Sequence, residues 1–556
     1  MEIKMPVFPG PRTSVVGKIS VDIGDKVVKD QEIMQVETKK GNRTIRSLCS
    51  GTVKSILVHE GDMVENEQNL FIIEEDKKTE TEIEIKTSSS AAEEKKADIL
   101  ILGGGFGGYM AAIMANKKGR KAILIEKSDL GGTCLNVGCI PTKSFIASSE
   151  AYRKITEAAS FGISFAGHAE PNMPKIVERK DKIVQKLRDG VSYLMNKNHI
   201  EVIKGTASFI DNSHVKISAD KEYHYSFNDC IIATGSKVSK PGIPGIDLPV
   251  VMDSTAALSL EKLPQSITIV GGGVIGLEFA FMYANLGVKV TIVEFLDHLI
   301  SCVDCDIADS ILKIAEDRGI KIELSSKVTS FSKSLTGEAI VAFEKDGKQN
   351  YCVSEKVLVS IGRQSRLEDL ALENTSIRLN ERGRGISVDS HMETNVKHIY
   401  AVGDCNNIIQ LAHAAAEEGM IAVKNIVGEK CEFDKSKIPS VIFTSPEIAT
   451  VGLLEDEAKK KGIPYKVGKF SYVGNGKALT MGETEGYVKI IKNEKNIIIG
   501  GSVIGADASS LIAPIALCVT NGLTDEAIDK TVFAHPTTSE VIREASLDLS
   551  LGSFNE

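Results

Sequence analysis

At 556 residues the chain is too long for one hydrophobic core, and roughly 150 residues per domain gives three or four. Its 42% hydrophobic and 25% charged content is that of a globular protein, without an apolar run long enough to span a bilayer, so no membrane partner is expected. A formal net charge of −9 argues against a nucleic-acid partner, because phosphate binding needs clustered Lys and Arg.

The opening MEIKMPVFPGPR has no basic segment followed by an apolar stretch, so no secretory signal is expected. Ten scattered cysteines, only one pair of them at a spacing that suggests chemistry, fit a reducing compartment; a cytoplasmic setting is expected. Residues 1–75 consist of short β-like runs with Gly-Asp turns, and they repeat. Shifted by 37 positions, ISVDIGDKVVKDQ lies on ILVHEGDMVENEQ, so that Ile19, Val21, Gly24, Asp25, Val27 and Gln31 fall on Ile56, Val58, Gly61, Asp62, Val64 and Gln68. Alternating apolar residues around a shared turn predict two similar β-halves packed face to face, an all-β barrel-sandwich, with VETKKGN on a hairpin between them.

Residues 76–97, DKKTETEIEIKTSSSAAEEKKA, are dominated by charge, Ser and Thr with no helical or strand period, and they read as a solvated linker. From residue 98 the pattern becomes strand, glycine loop, helix, twice over. In ADILILGGGFGGYMAAIMANKKGRKAILIEK, Gly103, Gly105 and Gly108 precede Glu126; in SITIVGGGVIGLEFAFMYANLGVKVTIVEF, Gly271, Gly273 and Gly276 precede Glu294. Each acid follows its first glycine by 23 residues (126 − 103 = 294 − 271). A single glycine triplet is weak, since glycines also serve close helix packing; two in full βαβ context predict two dinucleotide sites. The glycines let backbone approach a pyrophosphate at a helix N-terminus, and the acid accepts hydrogen bonds from the adenosine ribose. At Glu294 a 2′-phosphate would meet a like charge, which favours NAD over NADP. Two dinucleotides in one chain suggest a redox relay, with FAD and NAD the natural combination.

GGTCLNVGCIPTKS follows the first copy directly, with Cys134 and Cys139 near the start of a predicted helix. A helix N-terminus lowers a thiol pKa, so both thiolates are expected to be accessible at neutral pH. Two buried structural cysteines or half of a metal site are the alternatives, but no second Cys or His pair lies nearby to complete a zinc centre, and no metal is expected. Further on, Ile176, Ile183, Leu187, Val191 and Leu194 mark one face of an amphipathic helix. NDCIIATGS (228–236) and KHIYAVGDC (397–405) read as buried strands ending in polar loops. The expected fold is thus α/β: a first dinucleotide domain over 98–247 and 370–436, a second inserted over 248–369, and an α+β region without a glycine fingerprint over 437–556.

GGTCLNVGCIPTKS, the paired nucleotide folds, ATGS (233–236) and AVGD (401–404) resemble the pyridine nucleotide–disulfide oxidoreductases, over roughly residues 97 to 550. Within that family IPSVIFTSPE and HPTTSE (535–540) are similar to the dihydrolipoamide dehydrogenases. The resemblance implies a Cys134–Cys139 disulfide, with Cys134 exchanging with a dithiol substrate and Cys139 lying against a flavin. It implies Lys143 near the flavin ring and paired with Glu278, and Asp404 on the FAD ribityl chain with Gln410, Leu411, Ala412 and His413 close by. Lys127, Gly132, Thr133, Ala207, Thr234, Gly235 and Ser236 stand at further cofactor positions, as do Val274, Ile275, Val328 and Gly362. It implies His535 as acid–base catalyst, oriented by Glu540, and a homodimer in which the C-terminal region completes the partner's site. The N-terminal repeat is similar to lipoyl and biotinyl carrier domains: ETKKG stands where lipoyl domains show Glu-Thr-Asp-Lys-Ala, which places covalent lipoate on Lys40. Partners would then be lipoyl domains and acyltransferase components of 2-oxo acid dehydrogenase-type complexes. Phe106 stands where the family usually has proline, GRQSR (362–366) lacks a proline common after Gly-Arg, and Phe533 replaces a frequent histidine. A glutathione-type reductase is opposed by Glu294 and a mercuric reductase by the missing terminal cysteine pairs. A lipoyl scaffold without catalysis is opposed by the intact Cys134, Cys139, His535 and Glu540 set.

Overall fold

The computed structural model describes residues 2–5, 13–27, 31–38, 41–47, 49, 51–66, 68–75 and 93–552. They divide into two compact units, one within residues 1–90 and one within 91–556.

The first unit is two four-stranded antiparallel sheets. One orders Glu2–Lys4, Asn69–Glu75, Gly51–Ile56 and Lys26–Val27; the other orders Gly41–Arg46, Glu32–Thr38, Thr13–Ile19 and Met63–Glu65. The repeat read from the sequence is present bond for bond. Gly24 and Gly61 turn the chain at φ +98° and +94°, a region open to glycine without steric cost. The Asp25 carboxylate accepts from the Asp22 N–H at 2.8 Å, and Asp62 does the same for His59 at 2.7 Å. Val16, Val21, Val27, Val53, Val58 and Val64 are buried between the sheets, as period-2 alternation requires. Thr38 pairs with Gly41 at the end of one hairpin. Lys40 lies outside the described residues.

In the second unit, parallel strands Glu201–Lys204, Ala122–Glu126, Glu93–Leu102 and Glu222–Ile232 lie side by side, and Ile399–Ala401 joins Glu222–Ile232 in parallel. Their cores, such as Ile99–Leu102 and Cys230–Ile232, are apolar on both faces because both are covered: helices lie on one, and strands Thr206–Phe209 and His214–Ser218 with Leu370 and Ile386 on the other. One boundary needs correction. The strand begins at Glu93, so residues 93–97, expected in the linker, pair in register with Tyr223–Phe227. EEKK is charged enough to read as solvated, yet Lys95 caps the Tyr223 ring at 4.7 Å and the backbone supplies the ladder.

A second parallel sheet orders Val251–Met252, Lys356–Val359, Ser266–Val270, Lys289–Val293 and Lys321–Glu323, beside a three-stranded meander over 327–354. The C-terminal region is a five-stranded antiparallel sheet packed by helices Ala508–Asn521 and Glu540–Asp548. Helix Met173–Lys197 also departs from expectation. It buries Met173, Lys180, Val184, Val191 and Met195, while Leu187 and Leu194 are exposed. The buried stripe is rotated by roughly 60° from the one counted, at 100° per residue. The apolar residues form a band wider than the contact, so their count alone misplaces its centre. Among the described residues no helix is long and apolar enough to cross a membrane.

Candidate active site

Both glycine loops are built alike. In the first, a side chain on Gly108 would lie 1.8 Å from the Gly103 carbonyl oxygen; in the second, one on Gly276 would lie 1.9 Å from that of Gly271. Gly103 and Gly271 turn at φ +117° and +105°. The middle glycines face open space: beside Gly105 only the Cα of Gly132 comes within 4 Å, and beside Gly273 nothing does. These are cradles that a side chain would fill, at the starts of helices Phe106–Lys117 and Val274–Asn285, which is what a pyrophosphate requires. The two acids close the loops identically. Glu126 accepts from the N–H groups of Gly104 and Ser128, both at 2.7 Å; Glu294 accepts from Gly272 at 2.5 Å and Leu296 at 2.7 Å.

A cavity of about 830 Å³ runs from Gly103, Gly105, Glu126 and Lys127 through Gly132, Thr133, Cys134 and Cys139 to Lys143 and Glu278. It also takes in Ala207, Thr234, Gly235, Ser236, Val274, Ile275, Asp404, Gln410, Leu411, Ala412 and His413. Gly108 is buried beneath this wall. Gly271, Gly273, Gly276 and Glu294 belong to the second loop, Val328 packs in the core beside the second sheet, and Gly362 sits at φ +107° in the turn after that sheet.

Cys134 lies in the short helix Gly132–Val137 and Cys139 is the first residue of helix Cys139–Thr156. As thiols the two are hydrogen-bonded and behave differently, which corrects the expectation of two accessible thiolates. The Cys134 hydrogen bond holds Cys139 down at about 7, against the effect of burial and with the help of the Lys143 charge. The same hydrogen bond and burial push Cys134 well up. One proton is shared by the pair, so one thiolate forms readily and the other does not. Lys143, one helical turn on, pairs with Glu278 through both carboxylate oxygens at 2.9 Å. Glu278 is buried and also accepts the Phe443 N–H at 3.0 Å, and the Lys143 ammonium stands 4.3 Å from the Phe443 ring centre.

Asp404 is hydrogen-bonded by the Ser236 hydroxyl, and its carbonyl accepts from Ser365 at 2.6 Å. Arg363 donates to the Ser236 hydroxyl at 2.8 Å and carbonyl at 2.9 Å, and burial lowers its pKa. Arg363 and Phe443 were not singled out from the sequence, though they stand within GRQSR and IPSVIFTSPE; nothing local marks either as cavity-facing. Cys302 and Cys305, three apart, form a second closely spaced cysteine pair. Both are exposed, and the Asp456 carboxylate holds the Cys305 thiol up by hydrogen bonding, so they are unlike the Cys134–Cys139 pair. Among the described residues no group of three or more His, Cys, Asp or Glu could hold a metal ion.

His535 and Glu540 do not line the cavity. His535 Nδ1 lies 2.9 Å from Glu540 Oε1, and Glu540 Oε2 accepts the Thr537 N–H at 2.9 Å. Desolvation opposes ionisation of Glu540, but the Thr537 and His535 bonds prevail and lower its pKa. The His535 side chain is 78% exposed.

Two nucleotide cradles and a dithiol between them define a flavin-type disulfide oxidoreductase. The sequence agrees: residues 97–419 match the pyridine nucleotide-disulphide oxidoreductase model and 438–546 its dimerisation domain, and the chain belongs to this family. Residues 1–77 match the model described as biotin-requiring enzyme, which covers biotin and lipoyl carriers. Curated relatives include dihydrolipoyl dehydrogenases of Chlamydia muridarum, 41% identical over 81% of this chain and 96% of the relative, and of Bacillus subtilis, 41% identical over 81% and 98%. Among solved structures, LpdA from Mycobacterium tuberculosis superposes with a TM-score of 0.76 at 28% identity, covering 82% of this chain and 99% of that one. The Cu(II) complex of the HOCl-induced flavoprotein disulfide reductase RclA from Escherichia coli gives 0.72 at 30%, with the same coverage.

Proposed function

We propose that this chain is an NAD-dependent dihydrolipoamide dehydrogenase that carries a lipoylated domain. The observation that carries the reading is the asymmetric Cys134–Cys139 pair, set beside Lys143–Glu278 in the cavity that begins at the first glycine loop. FAD would lie along that cavity, with Glu126 at its ribose and Asp404 at its ribityl chain; NAD would sit on the second loop with Glu294. When bound, the two nucleotides supply the path for an electron pair from dithiol to nicotinamide.

The protein's own groups do the thiol chemistry. A substrate thiolate attacks Cys134, the bond to Cys139 breaks, and Cys139 leaves as a thiolate, the state that Lys143 favours. The second substrate thiolate displaces Cys134, closing the substrate disulfide and leaving both protein sulfurs reduced. His535, held by Glu540, takes the substrate proton, since a thiolate and not a thiol attacks. Its exposure in a single chain supports the view that it serves the partner of a homodimer through the dimerisation-type domain.

In this reading residues 1–75 form the lipoyl domain, with lipoate on Lys40; the linker expected from residue 76 on lies, to residue 92, outside the described residues. Residues 93–247 and 370–436 form the FAD domain, 248–369 the NAD domain and 437–556 the interface domain. The partners are lipoyl domains and acyltransferase components of 2-oxo acid dehydrogenase-type complexes, in the cytoplasm. Purified enzyme should reduce NAD with free dihydrolipoamide, and peptide mass spectrometry after expression with lipoate should show the adduct on Lys40 alone. No NADH from dihydrolipoamide, or biotin on Lys40, would overturn it.

A further inference from the structure

Helix Ala412–Ile426 packs on the first glycine helix through small residues: a side chain on Gly419 would come within 2.6 Å of the Gly107 carbonyl oxygen. One residue earlier stands Glu418, with 0% exposure. No step of the thiol chemistry uses it. Its Oε2 accepts two hydrogen bonds, from the Gly403 N–H at 2.6 Å and from Asn406 Nδ2 at 2.8 Å. Among the described residues its Oε1 has no hydrogen-bond partner.

Gly403 and Asn406 bracket the turn that carries Asp404. Gly403 turns at φ +73°, and a side chain there would reach 2.9 Å from the Ala415 Cβ, so the turn is pressed onto the helix. Asn406 passes the restraint on: its Nδ2 also reaches the Ala401 carbonyl at 3.2 Å, and its Oδ1 accepts the Ile408 N–H at 2.9 Å. Ser236 and Ser365 hold the turn from its other side.

We propose that Glu418 is the positioning residue for FAD, a buried carboxyl that clamps the Gly403–Asn406 turn and so fixes Asp404 against the ribityl chain. This rests on the FAD assignment above. The chemistry of the clamp is specific. Burial raises the Glu418 pKa to about 7, with the Asp404 charge acting in the same sense. In the neutral form Oε2 can still accept both bonds, since both fall on that one oxygen. One oxygen does the clamping; charge is not required. Glutamine offers the same single acceptor at the same reach, whereas aspartate is one methylene short of the turn.

The test uses the full-length holoenzyme and reads FAD release, by ultrafiltration and the flavin absorbance of the retained protein. Release from E418Q should stay within about twofold of wild type, while E418A and E418D should lose FAD at least tenfold faster. N406A removes one of the two donors without touching the buried carboxyl and should fall between them; it serves if E418A or E418D does not fold. Wild-type rates in E418A, E418D or N406A, or an E418Q as leaky as E418A, would overturn the clamp while leaving the FAD assignment intact. Wild-type protein with no affinity for FAD would overturn both.

Discussion

Replacing Lys143 by methionine isolates its charge from its length. In the intact site three influences act on Cys139: the Cys134 hydrogen bond lowers its pKa, burial raises it, and the Lys143 ammonium lowers it. Residues four apart on a helix lie about 6 Å from one another. At an effective dielectric constant of about 20, a unit charge at that distance contributes about 3 kcal/mol, or about two pKa units. Lys143→Met should therefore carry Cys139 from about 7 to about 9, and Glu278, left without its cation, pushes in the same direction. The assay is the pH dependence of iodoacetamide alkylation of Cys139 in the reduced protein, followed by peptide mass spectrometry. Wild type should show its midpoint near neutrality and Lys143→Met well into the alkaline range. An unchanged midpoint would show that the Cys134 hydrogen bond suffices, and the electrostatic reasoning would be wrong.

His535→Gln should lower dihydrolipoamide turnover by roughly a hundredfold or more while leaving FAD bound. Mixed with a Cys134→Ser chain it should recover some activity in heterodimers, and inactive heterodimers would show that each chain builds its own site. Glu294→Arg should narrow the preference for NAD over NADP, read as the ratio of kcat/KM values; comparable use of both nucleotides by wild type would sink the argument from like charges. Lys489 is buried at 1% exposure against Asp304, Asp306 and Glu455, at 2.7, 2.8 and 3.1 Å. Lys489→Met leaves three carboxylates facing one another and should cost about 3–5 kcal/mol, seen as an early unfolding transition in denaturant; a loss below about 1 kcal/mol would mean the cluster relaxes into water.

Where chemistry needs a residue type at a fixed spacing, the chain is legible. The glycine triplets with their acids, the CLNVGC pair and the Gly-Asp repeat all fall where their spacing places them, because each is a backbone constraint local in sequence. The Lys143–Glu278 pair lies 135 residues apart in sequence and was reached through resemblance, not spacing. What stayed hidden depends on distant packing. Arg363 and Phe443 enter the cavity only because strands far apart in sequence meet there. Glu418 looks like one more charged residue on an amphipathic helix until Gly403 arrives beneath it. Lys95 and its neighbours read as linker because charge on a strand extension paired along one side only resembles charge in solvent.

The acids that end the two βαβ units, proposed above as ribose acceptors, are also fasteners. Each ties its glycine loop shut through two backbone N–H groups before any ribose arrives. For the second copy this constrains descent. A lineage that changes Glu294 to accept a phosphorylated ribose also unpins Gly272 and Leu296, so the first step toward a new nucleotide loosens the site for the old one. Such a change is passable only if another acceptor for those N–H groups is already in place. Nucleotide preference in this chain should accordingly resist drift more firmly than a single half-buried glutamate suggests.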